Sequence, residues 1–136
     1  MIFVDYLQLC DMTTGQSNRN REQKVAQATR KAKMLAKELN VPVVLLSQLN
    51  RLAEGHIDRR PELSQLRESG AIEQDADVVM FLYRDDYYNK DSEMKDMAEV
   101  IIAKQRNGPI GTVNLVWMPQ YTKFANATRP GQGPQS

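Results

Sequence analysis

Cysteine occurs once in the 136 residues, as Cys10, so no intrachain disulfide and no cysteine-rich zinc site can form. With no histidine near it, Cys10 reads as a small buried hydrophobe rather than a nucleophile. Histidine is equally scarce. His56 stands alone, without the second histidine or cysteine that metal ligation would need. Long apolar runs are missing too: the longest, such as Val78 to Tyr83, reach about six residues, against the roughly 18 to 20 needed to cross a bilayer. A transmembrane helix is therefore excluded, and no basic stretch followed by a long apolar one marks a secretory signal. Neither charge sign dominates. Lys and Arg number 18 against 17 Asp and Glu, a net charge of +1, which excludes a histone-like polycation and makes any nucleic-acid binding depend on where the charge lies. What is present, 41% hydrophobic and 26% charged residues, suits a globular domain with a modest core, and the sparse cysteine points to a reducing, cytoplasmic setting.

The chain opens on Met1-Ile2-Phe3-Val4, an apolar run ending at Asp5, which has the pattern of a buried parallel strand. Starting directly on an interior strand suggests a piece of a longer chain. Thr13 to Asn18 is polar and favours a loop. Between Arg21 and Leu39, Val25, Ala28, Ala32, Leu35, Ala36 and Leu39 trace one helical stripe, and Pro42 requires the helix to stop near Asn40. Val41 to Leu46 then supplies a second strand, completing a βαβ unit that puts functional groups at the carboxyl ends of its strands. Gln48 to Asp77 reads mostly as exposed loop, with a short helix around Leu63 to Arg67. Val78 to Tyr83 is a third strand, and the acidic stretch from Arg84 to Met97 is expected to be a mobile loop. Ala98 to Lys104 and Gly111 to Met118 form an antiparallel hairpin, signalled by Asn107-Gly108. Residues 127–136, rich in Gly, Pro and Gln, form a flexible tail. There is no internal repeat.

Four places carry residues suited to phosphate or nucleic-acid chemistry. Asp5, at the end of a rigid apolar strand, has the form of the carboxylate that holds Mg²⁺ in P-loop nucleotidases, although a simple strand-end cap looks the same. Gln48, past the second strand, can orient a water or sense a terminal phosphate, or merely bond local backbone. Lys104 and Arg106 lie two residues apart at a hairpin, the spacing that puts strand side chains on one face; they suit an arginine finger, or an ordinary charged edge strand. The segment Arg67-Glu68-Ser69-Gly70 joins a cation to a glycine that permits close backbone approach, which can follow a phosphate backbone without reading bases, or be a plain surface loop. Between residues 19 and 37 the helix segment adds a local basic excess through Arg19, Arg21, Lys24, Arg30, Lys31, Lys33 and Lys37 against Glu22.

Together these segments resemble the C-terminal ATPase domain of the bacterial replicative DNA helicases, the DnaB family. The resemblance rests on Ile2 to Leu9, Ala36 to Val43, Leu46 to Arg51, Leu66 to Asp77 and Lys104 to Gly111, which follow the family's order across residues 1–126. It implies an α/β fold, part of a RecA-like three-layer architecture with a mostly parallel central sheet and a C-terminal antiparallel hairpin. It further implies that Asp5 belongs to the Mg²⁺ motif and that Gln48 couples the terminal phosphate to the DNA loops. Lys104 and Arg106 would act on ATP held by the adjacent subunit, and Arg67, Glu68 and Gly70 would touch single-stranded DNA. The implied partners are single-stranded DNA, a homo-hexameric ring, primase and a helicase loader; the cofactors are ATP and Mg²⁺. One departure stands out. The sequence has no G-x-x-x-x-G-K-[ST] phosphate loop, nor the family's catalytic glutamate, so the chain by itself is expected not to hydrolyse ATP. The competing readings are a non-catalytic single-stranded DNA-binding or subunit-interaction module, and another RecA-like ATPase such as a recombinase or a circadian-clock relative.

Overall fold

A computed structural model describes residues 1–5, 18–47, 60–63, 66 and 70–127. They fall into two compact units: residues 1–5, 18–47, 62–63, 66 and 70–77 in the first, and 60–61 with 78–127 in the second.

The first unit is built on a βαβ core. Strand β1 (Ile2–Val4) pairs in parallel with β2 (Val43–Leu45), in the register Ile2 to Val43 and Val4 to Leu45. The ladder extends at both ends, through Ile2 N–H to Pro42 O and Leu46 N–H to Val4 O, each 2.9 Å. Between the strands runs helix α1 (Asn18–Leu39), which starts three residues before the expected Arg21, so that Asn18 belongs to the helix rather than the loop. Its end is fixed by local chemistry. Asn40 adopts φ 50°, its N–H donates to Lys37 O, and Val41 N–H reaches back to Ala36 O. This paired bonding around a left-handed residue satisfies the last carbonyls of a helix, and asparagine tolerates that conformation better than most side chains; Pro42 then prevents continuation. A second helix, α2 (Gly70–Asp75), packs beside α1. It lies where the sequence suggested loop, because Ala71, Glu73 and Gln74 are good helix formers in a stretch too short to show periodicity. The Thr29 hydroxyl, buried on α1, donates to Asp75 (3.1 Å) and lies 3.0 Å from the Ala26 carbonyl, while Lys33 pairs with Asp77.

The second unit is a four-stranded sheet in the order β3 (Val78–Tyr83), β4 (Met97–Gln105), β5 (Gly111–Met118), β6 (Lys123–Asn126). Every neighbouring pair in it is antiparallel. Here the expectation of a mostly parallel central sheet is corrected: among the described residues, the parallel pairing is confined to β1 and β2. The misreading has a physical source. Six consecutive apolar residues in β3 are compatible with burial on both faces, the mark of a parallel interior strand, yet burial alternates. Val79, Phe81 and Tyr83 are buried, whereas Met80 and Leu82 are 57% and 59% exposed. The connection from β3 to β4 also contains no helix long enough for a crossover, only α3 (Asp85–Tyr88), so the chain turns back beside itself. Strand β6 went unforeseen because Lys-Phe-Ala-Asn has little β-branched character; it is reached through a 3-10 turn (Pro119–Tyr121) and Thr122, whose φ is 49°.

The acidic stretch after β3 is internally bonded. Arg84 donates through Nε and Nη2 to the two Asp86 oxygens (3.1 Å each), and Asp86 also accepts the Asp96 N–H at 3.0 Å. Asn89 Oδ1 accepts the Asp91 N–H, and Ser92 Oγ, in a buried residue, accepts the Met94 N–H. The Arg84 guanidinium lies over the Trp117 ring at 5.0 Å, and Trp117 in turn packs on Phe124 with ring centroids 4.6 Å apart. Residues 128–136, foreseen as a flexible tail, lie outside the described residues.

Candidate functional site

Parallel pairing with Val4 opposite Leu45 brings β1 and β2 to an end at the same level, and Asp5 comes immediately after, exposed, past the last strand residue. Its position is dictated by the ladder. The Leu46 N–H still bonds Val4 O, so the backbone just before Asp5 is held while the carboxylate beyond it faces solvent. Gln48 comes two residues after Leu46 in the chain but lies outside the described residues, as do Arg67 and Glu68. Gly70, the last residue of the segment read as a DNA loop, is the first residue of α2.

Lys104 and Arg106 are carried by the β4–β5 hairpin, but not in the way simple alternation suggests. Lys104 is in β4; Arg106 lies one residue beyond the strand, exposed, in the connection of residues 106–110. The pairing also slips. Val79 faces Lys104 while Met80 faces Ile102, which leaves Ala103 as an extra residue on β4. Such a bulge reverses the face on which the next residues of the strand lie. Without it Lys104 would share the face of Met80 and Ile102; with it, Lys104 shares the face of Val79. Nothing in the sequence marks this bulge.

The hairpin tip uses its glycine for space rather than for a left-handed turn. Asn107 is absent from the non-glycine residues with positive φ, so the two-residue turn that Asn-Gly favours is not what forms. Instead a Cβ on Gly108 would sit 2.6 Å from Gln105 Nε2 and 2.9 Å from Gln105 Cδ, so the glycine lets the Gln105 side chain fold over the turn.

At the opposite end of β4 is a second charged cluster. Arg60 donates through Nε and Nη2 to the Glu99 carboxylate, each at 2.9 Å, and its guanidinium lies 5.6 Å from the Tyr83 ring centre. Tyr83 OH donates to Asp85 Oδ1 at 2.8 Å. The hydrogen bond from Ser92, then that from Tyr83, holds the Asp85 carboxyl below the usual carboxylate range, with a smaller contribution from the Arg60 charge. Asp86 is lowered likewise, chiefly by its bond from Arg84 against a partial offset from burial. Among the described residues no three His, Cys, Asp or Glu side chains converge as a metal-binding group, and no helix is long and apolar enough to cross a membrane.

The model of the DnaB-like helicase C terminal domain matches residues 1–126. The chain belongs to that family. Among its relatives, "Replicative DNA helicase DnaB" of Geobacillus stearothermophilus is 59% identical over 129 residues, and "Replicative DNA helicase DnaC" of Bacillus subtilis (strain 168) is 56% identical over 129 residues. Each match covers 95% of this chain and 28% of the relative, so the chain spans little more than a quarter of those helicases. Two solved structures superpose with TM-scores of 0.84 at 50% identity over 93% of this chain. One is described as an ATPase domain, of which 44% is covered; the other, a DnaB-like replicative helicase described with its interactions with primase, is covered over 30%.

Proposed function

We propose that this chain is the C-terminal portion of the motor of a ring-shaped replicative helicase that couples ATP hydrolysis to movement along single-stranded DNA and to duplex unwinding. The observation that carries the reading is the β4–β5 hairpin: in a chain of the DnaB-like family, Lys104 lies near the end of a strand paired on both sides and Arg106 in the connection just beyond it. Catalysis of phosphoryl transfer is largely positioning and charge neutralisation, and guanidinium and ammonium groups on a rigid tip supply both.

In this reading Lys104 and Arg106 approach ATP held by a neighbouring copy in a homo-hexamer. Asp5 is one of the oxygen ligands of Mg²⁺; its exposed carboxylate at a strand end fits a hydrated ion that keeps several waters and needs few protein ligands. The ion would neutralise charge on the nucleotide phosphates. Gln48 senses the terminal phosphate, and Arg67, Glu68 and Gly70 meet the DNA backbone. The phosphate cradle has to come from elsewhere, because the chain has no G-x-x-x-x-G-K-[ST]. A RecA-like layered arrangement, a cytoplasmic setting, and docking of primase and a loader complete the proposal; the primase contact is suggested by the solved relative described with it.

The test is ATP hydrolysis and strand separation by the complete protein on a forked duplex, with the 136-residue chain assayed alongside. The reading expects DNA-stimulated hydrolysis and unwinding by the complete protein and neither by the chain alone. Salt-sensitive single-strand binding with no ATP turnover by the complete protein would instead support a non-catalytic binding module.

A further inference from the structure

One side chain closes the tip of the β4–β5 hairpin over itself. Gln105, the last residue of β4, faces Val78 across the ladder, and Lys104 faces Val79. Successive strand residues lie on opposite faces, so Gln105 leaves the strand on the side away from Lys104. Gln105 is half-buried, whereas residues 106–110 that follow it are all exposed. Its amide lies over Gly108: a Cβ there would come within 2.6 Å of Nε2, 2.9 Å of Cδ and 3.3 Å of Oε1. The whole amide thus occupies the volume that any other residue at 108 would fill. Gly108 has no φ in the left-handed region, so an alanine there would meet a crowded side chain rather than a strained backbone. Pro109, next along the chain, locks its own φ. Arg106 and Asn107 are therefore bridged from one side by Gln105 on Gly108 and followed on the other by a stiff residue.

We infer that Gln105 is a positioning residue: its side chain, seated on Gly108, fixes the backbone between them and so the direction from which the Arg106 guanidinium approaches phosphate. The inference rests on the helicase reading above, in which Arg106 acts on the nucleotide. An arginine on a mobile turn loses backbone and side-chain freedom each time it engages, and a turn held beforehand removes part of that cost. Displacing a catalytic group by about 1 Å can slow a reaction by about a hundredfold, so a small change in the turn is enough to matter. Lys104 does not depend on this contact, since it lies within β4 and its ladder partner Val79 holds its backbone. The geometry also allows a perturbation that spares the fold. In Gly108→Ala the added methyl has to push aside only the far end of a flexible side chain, so the seat is lost at little cost in stability.

The experiment uses the complete helicase with Gln105→Ala, Gly108→Ala, the two combined, and Gln105→Met, which keeps the length of the side chain without its amide. DNA-stimulated ATP turnover, nucleotide affinity and melting temperature are measured for each, with Arg106→Ala alongside. Each single alanine variant should lower turnover by about tenfold or more, with nucleotide affinity within about twofold of wild type and an unchanged melting temperature. The combined variant should be no slower than the slower single one, because the added Cβ then meets no side chain. Gln105→Met should restore most of the turnover lost in Gln105→Ala. Wild-type turnover in both single variants would overturn the inference, as would losses that multiply in the combined variant. Turnover in Gln105→Met as low as in Gln105→Ala would also overturn it, since the amide would then act on the nucleotide itself. A joint fall in turnover, affinity and melting temperature would overturn it too, by reducing the contact to scaffolding. If Arg106→Ala keeps wild-type turnover, the reading of Arg106 fails first and this inference falls with it; a slow Arg106→Ala beside unaffected Gln105 and Gly108 variants refutes the inference alone.

Discussion

Replacing Asp86 with alanine removes a carboxylate that accepts three hydrogen bonds, two from Arg84 and one from the Asp96 N–H. Bonds to a charged group contribute about 1.5–3 kcal/mol each when shielded from water. Here Asp86 and Arg84 keep 15% and 26% of their side-chain surface exposed, and solvent screening with side-chain entropy removes much of that gain. A total loss of about 1–2 kcal/mol is the reasonable figure, or a fall of about 0.5–1 M in the urea midpoint for a slope near 2 kcal/mol per molar. The assay is built into the chain. Trp117 is the single tryptophan and lies under the Arg84 guanidinium at 5.0 Å, so its fluorescence reports both unfolding and release of Arg84. Asp86→Ala should lower the midpoint and change the emission of the folded state. An unchanged midpoint with unchanged emission would refute the view that the acidic stretch is held in place by this carboxylate.

The same groups set an acid limit. Asp85 and Asp86 both titrate below their ordinary range, the first mainly through Ser92 and Tyr83 and the second mainly through Arg84, so their contribution to stability is fully present above about pH 3.9 and is lost as pH falls through the lowered folded-state values. A urea midpoint followed from pH 6 to pH 2 should drop at the acid end, with a smaller drop in Asp86→Ala; parallel curves would contradict the assignment. Thr122 is a β-branched residue held at φ 49°, ψ 46° before β6. Thr122→Asn should therefore stabilise the chain by about 0.5–1 kcal/mol, because asparagine tolerates the left-handed region; a lower melting temperature would show that the threonine side chain matters more than the backbone strain.

Local chemistry was legible in the sequence wherever one residue type decides the outcome. Pro42 stopped α1, the apolar stripe from Val25 to Leu39 located it, and the strands flanking Arg106 to Ile110 were placed to within one residue. What escaped depends on pairing partners far away in the chain. Val78 to Tyr83 could not reveal that its neighbour runs antiparallel and leaves Met80 and Leu82 exposed, since an uninterrupted apolar run looks the same in either case. The bulge at Ala103 and the Arg60–Glu99 pair, 39 residues apart in sequence, are likewise products of register. Of the proposed site residues, the places of Asp5 after a strand and of Lys104 and Arg106 at a hairpin were legible, because strand ends and hairpins announce themselves through apolar runs and turn residues. How Lys104 is aimed was not.

Whether the hairpin acts on ATP is decided most directly by Arg106→Ala in the complete helicase, with nucleotide affinity and DNA-stimulated turnover measured on the same preparation. Nucleotide binding should stay nearly intact while turnover falls by about a thousandfold or more, the range for losing a guanidinium that stabilises transferring phosphate. Turnover at the wild-type level would mean that Arg106 does not act on the nucleotide.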